Sequence, residues 1–337
     1  MSVKKRRILH LMDDMAMGGV TRALKNFEHL ELAELGQHET VDVTLGKPVS
    51  TSANDVAIIH FTASWRKLPK LVELRYRQSF NKIILIEHTY TSGFEASEVD
   101  EPVRFRQMLR FAYRMVDIVV AVSAEQRRWM IEAKLAPAAK IIAIPQARDC
   151  THLLRMMPAE REAGPLRIGA FGRFHKQKGF DLLIEAMALI PTDIAQLEIA
   201  GAGENAQTLK AMAMPLANVK ISPPFSDPEA FLSRTDIVAA PSRWEAFGLV
   251  GLEARAAGRA IIAAEIDGLI DQIGESGFGH EPNCVDALEA AIRKAASAKD
   301  IDQRGLLARK EAYDAHANML EGWKALLAEP DIASRAA

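Results

Sequence analysis

The residues in this 337-residue chain best suited to chemistry are two carboxylates in the run Glu245-Ala246-Phe247-Gly248-Leu249-Val250-Gly251-Leu252-Glu253. Eight helical steps of about 100° would leave the two acids about 80° apart. They can therefore serve one ligand only if Glu245 lies in a loop and Glu253 on the helix that follows. The amides of Phe247, Gly248, Leu249 and Val250 then form the helix N-terminus, which stabilises a phosphate, while each carboxylate accepts hydrogen bonds from a different sugar. A solvated charged helix is the alternative, and the apolar, glycine-containing surroundings weigh against it.

A second segment complements the first. Gly172-Arg173-Phe174-His175-Lys176-Gln177-Lys178-Gly179 places three cations and a histidine between two glycines. Arg173 offers a planar fork of donors and Lys178 a mobile point charge, a pair suited to neutralising a diphosphate; a plain solvated basic loop is the competing reading. Gly201-Ala202-Gly203-Glu204 adds a loop where a backbone can approach a ligand closely. Gly18 and Gly19, after the first apolar run, either hold a diphosphate or make a tight turn. Their spacing is not the Gly-x-Gly-x-x-Gly of dinucleotide enzymes.

These loops need a scaffold, and the apolar pattern supplies one. Short apolar runs alternate with amphipathic stretches, as in parallel sheets covered by helices on both faces. Strands are expected at 7–12, 41–45, 56–61, 82–87, 118–122 and 141–144, and again at 167–171, 196–200, 219–222, 236–239 and 260–264. The predicted class is α/β, two doubly wound Rossmann-like domains facing an interdomain cleft. The expected domains are 1–155 and 156–310, with a closing helix over 311–337 that packs on the first domain.

With Arg173, Lys178 and the Glu-x7-Glu spacing in place, the sequence resembles the retaining family 4 glycosyltransferases of the GT-B fold. Gly18-Gly19 matches the family's first glycine loop, and Ile144-Pro145 is also similar. The resemblance implies that residues 1–155 bind the acceptor and 156–310 the nucleotide sugar, that Arg173 and Lys178 neutralise the donor diphosphate and that Glu253 holds the nucleotide ribose. Glu245 and the amides of Phe247 to Val250 would hold the transferred sugar and phosphates, Gly19 would approach the diphosphate, and Gly203 would shape the nucleotide pocket. It also implies a His at the end of the fourth strand, matched by His88, near the reaction centre. His60 is a secondary candidate, and His175 lies within the phosphate loop. Front-face attack, with the leaving phosphate taking the acceptor proton, is implied, and the cations stand in for a divalent metal, so no metal or other cofactor is expected. Asp13-Asp14 is not an Asp-x-Asp metal motif. The chain departs from the family pattern at Asp267-Gly268, where a glycine pair is common, and at Gln146, where Asn is usual.

Composition narrows the partners. At 49% hydrophobic and 26% charged residues, the chain belongs with globular proteins rather than disordered or membrane ones. The first 165 residues hold 24 Lys and Arg against 20 Asp and Glu, leaving 18 against 24 for the rest. That excess is too small for a nucleic-acid protein. Arg106, Arg110 and Arg114 nevertheless form a stripe at helical spacing, joined in sequence by Trp65-Arg66-Lys67 and Arg127-Arg128-Trp129. This points either to an anionic membrane surface or to a solvated helix face. Cys150 and Cys284 are too few for a disulfide framework. The expectation is a cytoplasmic enzyme, peripheral on the inner face of the membrane. It would move a sugar from a UDP- or GDP-type donor to a glycan or lipid-linked acceptor of cell-surface polysaccharide or lipopolysaccharide. A sugar-nucleotide epimerase or hydrolase, and a silent binding subunit, are the alternatives.

Overall fold

The computed structural model describes residues 6–13, 24–44, 50–157, 161 and 163–328; Gly18, Gly19 and Asp14 lie outside them. The chain forms two compact units. One is Met1–Arg148 with His316–Ala337, and the other is Asp149–Ala315. The division thus falls at Arg148 rather than at 155, because the short helix Thr151–Leu154 buries Leu153 and packs against Leu249–Ala256 of the second unit.

The first unit is built on a six-stranded sheet of β1 (Arg7–Met12), β2 (Gln37–Asp42), β3 (Val56–Ile59), β4 (Lys82–Glu87), β5 (Ile118–Ala121) and β6 (Ile141–Ala143). The order is β2-β1-β3-β4-β5-β6 and every pairing is parallel. Every residue of β3 and β4 is buried, which is why they read as unbroken apolar runs. β2 starts four residues before the expected Val41. It is an edge strand, half exposed and largely polar, so its ladder carries no apolar run.

The expected closing helix is two helices, Ile301–Tyr313 and Ala315–Ala328, interrupted at Asp314. The second belongs to the first unit from His316 onward. Trp323 packs against Phe27 with ring centroids 4.9 Å apart. The buried ammonium of Lys82 donates to the Leu326 carbonyl at 3.1 Å and Arg6 to that of Leu327 at 2.9 Å. Both cations meet the helix at its negative end, where charge and dipole reinforce each other.

The second unit repeats the plan. Its strands are β7 (Leu166–Arg173), β8 (Ala195–Ala202), β9 (Val219–Ser222), β10 (Ile237–Ala240), β11 (Ala260–Ala264) and β12 (Phe278–His280), all parallel in the order β12-β11-β10-β7-β8-β9. Three-residue β12, with Gly279 at its centre, is too short to leave a pattern and was not expected. Strand order reverses between β7 and β10. Successive strands run outward from that pair in both directions, so their carboxyl ends frame the crevice where such sheets take ligands.

Candidate active site

Four loops converge on that edge of the second sheet. The turn after β7 is pinned by close backbone approaches: a Cβ on Gly179, at φ +63°, would lie 2.1 Å from the Pro241 carbonyl oxygen, and one on Gly203, at φ +155°, 2.4 Å from that of Phe174. Only glycine fits either place. His175 starts the turn by accepting from the Gln177 amide through Nδ1 at 3.1 Å, and its Nε2 stands 3.5 Å from Glu204. Its ring is engaged in shaping the turn.

Glu245 lies in the loop after β10 and Glu253 is buried on the helix Leu249–Ala256. Lys178 forms a salt bridge with the Oε2 of Glu245, and both are mostly buried. The Glu245 amide donates to Asp267 Oδ2 at 3.2 Å, and the Glu245 carbonyl accepts from the Gly268 amide at 3.0 Å. Asp267 holds φ +47°, a conformation that favours glycine, and its carboxylate fixes the glutamate loop. Gly248, at φ +90°, begins the helix with no side-chain cap and no acid in the first turn. Phe247 is buried, while Leu249 and Val250 are partly exposed. An uncapped helix start beside Lys178 suits an anion. Arg173 stands exposed, its Nη2 donating to Gln177 Oε1 at 3.3 Å.

Gln177, Arg243 and Asp181 assemble this edge without any local signal in the sequence. Gln177 donates to the Trp244 carbonyl at 3.1 Å, and its own carbonyl accepts from the Arg243 amide at 2.7 Å. Arg243 grips Asp181 through two bonds of 2.8 and 2.6 Å. These tie the β7 and β10 loops together. They are long-range partners with no local spacing to betray them.

In the first unit, His88 follows β4. The loop it opens is held by Gln126, whose Nε2 donates to the carbonyls of Glu87 and Tyr90 at 3.0 and 2.8 Å, and by the buried Glu87 carboxylate. Glu87 accepts from the amides of Thr89 and Tyr90 and from Tyr113. Burial raises the Glu87 pKa and lowers that of His88 to about 4. His60 is buried beside it, 3.4 Å away. Asp13 pairs with Lys67 at 2.5 Å.

The arginine stripe is largely committed to its own unit. Arg106 grips Glu95 with bonds of 2.7 and 3.1 Å. Arg110 caps the Lys134 and Ala133 carbonyls at 3.0 and 2.9 Å, Arg127 donates to Ile141 at 2.9 Å, and Arg128 pairs with Glu125. Arg114 stays exposed. Trp129 is buried in the core, so its neighbouring cations flank no exposed ring. Trp65 is half exposed under the Arg104 guanidinium, 5.6 Å from the ring centre.

Residues 165–298 match the model of the family described as Glycosyl transferases group 1. D-inositol 3-phosphate glycosyltransferase of Nocardia farcinica is 31% identical over 229 residues, 59% of this chain and 49% of that protein. Granule-bound starch synthase 1 of Pisum sativum is 30% identical over 146 residues, 38% of this chain and 24% of its own. The chain spans about half the length of the first of these relatives, and less of the second. Among solved structures, Anabaena Alr3699/HepE in complex with UDP and glucose superposes with a TM-score of 0.72 at 18% identity, covering 96% of this chain and 99% of that one. Sucrose-phosphate synthase from Thermosynechococcus elongatus gives 0.74 at 18%, covering 96% and 98%. The fold of this chain is GT-B.

Proposed function

We propose that the protein is a glycosyltransferase that moves a sugar from a nucleotide diphosphate donor to a hydroxyl acceptor with retention of anomeric configuration. The observation that carries this reading is the meeting of Lys178 and Glu245 at the strand-order reversal, beside an uncapped helix start and with Glu253 one helix turn or more beyond. Uridine is the favoured base, since a neighbour of the same fold is solved with UDP and glucose.

The chemistry follows from charge. As the glycosidic bond of the donor breaks, negative charge grows on the leaving diphosphate. Arg173, Lys178 and the amides of Gly248 to Val250 stabilise that charge more strongly than they stabilise the intact donor, which is what accelerates the step. The leaving phosphate then takes the proton of the attacking hydroxyl on the same face. Glu253 accepts from the ribose hydroxyls and Glu245 from the transferred sugar. The arginine and lysine take the place of a divalent metal in this scheme, so activity should survive chelation. His88 receives a sugar hydroxyl in the first unit. The acceptor is a glycan or a lipid-linked glycan of the cell surface. An anionic membrane would meet the first unit through Arg114 and the Trp65–Arg104 pair, since Arg106, Arg110 and Arg127 are engaged within the unit.

Product analysis with UDP-sugars and candidate glycan acceptors tests the reading. A transferase forms a new glycoside with the donor's anomeric configuration only when acceptor is present. An epimerase would alter the donor alone, a hydrolase would release free sugar, and a silent subunit would bind without turnover.

A further inference from the structure

Four histidines of the first unit form one hydrogen-bonded row. His38 Nε2 lies 3.1 Å from the Leu32 carbonyl oxygen and His38 Nδ1 2.9 Å from His10 Nε2. His10 Nδ1 lies 2.9 Å from His60 Nε2, and His60 Nδ1 3.4 Å from His88 Nε2. Parallel register explains the row. His10 stands opposite Thr40 of β2 and Ile58 of β3, so His38 lies two residues back and His60 two residues on. A shift of two keeps a side chain on the same face. Ile59 stands opposite Leu85, which carries the same step to His88. The row therefore climbs diagonally from the second residue of β2 to the carboxyl edge beyond β4. The His10 ring centroid is 5.2 Å from those of His38 and His60, with planes 24° and 33° apart, as for rings joined edge to edge. Phe27 covers His10 at 4.5 Å.

The row has a polarity. A carbonyl oxygen only accepts, so His38 Nε2 carries a proton toward Leu32. In a neutral ring its Nδ1 is then an acceptor, which obliges His10 to donate through Nε2. The same step repeats at His60 and His88. At the far end, His88 Nδ1 keeps a bare lone pair, shielded from solvent and without a hydrogen-bond partner among the described residues. Burial keeps three of the rings neutral: it lowers His10 to about 3 and His88 to about 4, and holds His60 well below the usual imidazole value. With His38 neutral as well, four rings anchored on one carbonyl have a single consistent arrangement of protons.

We propose that His38, His10 and His60 are positioning residues that fix the tautomer of His88, so that its Nδ1 receives a hydroxyl of a bound sugar and rejects a phosphate oxygen. The effect on turnover rests on the glycosyl transfer proposed above; the tautomer does not.

Ring-nitrogen NMR of the full chain labelled at histidine tests the row at about neutral pH. The expected spectrum shows all four rings protonated at Nε2 and bare at Nδ1. In His38→Leu the anchor is gone and His88 should lose its single tautomer. In His38→Gln the amide can donate to Leu32 while its carbonyl accepts from His10, and the tautomer should return. A purely space-filling role would leave His88 unmoved in both variants. With UDP-glucose as the probe, kcat should fall about tenfold in His38→Leu with KM little changed, and recover in His38→Gln. A wild-type His88 protonated at Nδ1, or a His88 signal unchanged in His38→Leu, overturns the proposal; the wild-type spectrum decides even if the leucine variant fails to fold. Correct tautomers without any transfer by the wild-type chain would uphold the row and count against the function proposed above.

Discussion

Lys178 and Glu245 are 67 residues apart in sequence yet share a salt bridge where the strand order of the second sheet reverses. A diphosphate entering there would draw the ammonium toward its own oxygens and leave the carboxylate to a sugar hydroxyl. Lys178→Ala should lower kcat/KM by about a hundredfold or more, the scale of losing one preorganised charge partner of a transition state. Glu245→Gln should reduce turnover while UDP affinity stays within about threefold. Glu253→Ala should instead weaken UDP binding. Calorimetry beside initial rates separates these outcomes, and equal loss of UDP affinity in both glutamate variants would contradict the division of roles.

Backbone crowding sets a second expectation. Gly179→Ala and Gly203→Ala would each push a Cβ into a carbonyl group from a positive φ, so each should cost about 2 kcal/mol or more of second-unit stability. Denaturant unfolding followed by tryptophan fluorescence measures this. Loss below about 0.5 kcal/mol would mean that the loops are less tightly joined than described.

Arg106 and Arg114 separate a packing role from a surface role. Arg106→Ala leaves the buried Glu95 carboxylate without its guanidinium, and should cost about 1 to 3 kcal/mol without changing cosedimentation with anionic vesicles. Arg114→Glu should change stability by less than about 0.5 kcal/mol. If the chain does dock on anionic lipid, that second variant is the one that weakens it.

The histidine row also predicts the acid response. His10 and His60 have folded pKa values far below the value of about 6.5 for an exposed imidazole. Below that pH the unfolded chain binds protons that the folded chain does not, so stability is full above it and falls as pH drops. The slope is up to about 1.4 kcal/mol per pH unit for each ring, continuing for His10 toward about 3. Glu87 opposes this as a single group, because its raised pKa lets the folded state take up a proton first. Glu198, lowered to about 2 by its Arg234 hydrogen bond, adds its own loss only at lower pH. Thermal midpoints should therefore fall from about pH 7 to pH 5; a flat or rising profile would contradict neutral, buried rings.

Much of the sheet scaffold was legible because β3, β4, β10 and β11 are buried along their whole length and so write themselves as apolar runs. Edge strands were harder: β2 is polar and β12 is three residues long. The loop position of Glu245 and the helical position of Glu253 could be read from their spacing, since the separation is wrong for one helix face. Gln177 and Arg243 could not be read, because their partners lie at Trp244 and Asp181, outside any local pattern. The histidine row was half visible. His60 and His88 stood out at strand ends, but His38 and His10 join them only through a register that pairs three strands.

A donor site on the second unit can be read from the thermal midpoint in the presence of UDP, GDP and ADP. A nucleotide at about 100 times its dissociation constant adds about 2.7 kcal/mol of stability. UDP should raise the midpoint more than GDP or ADP, and the rise should be lost in Arg173→Ala. No rise with any of the three, or an equal rise in Arg173→Ala, would contradict a donor site there.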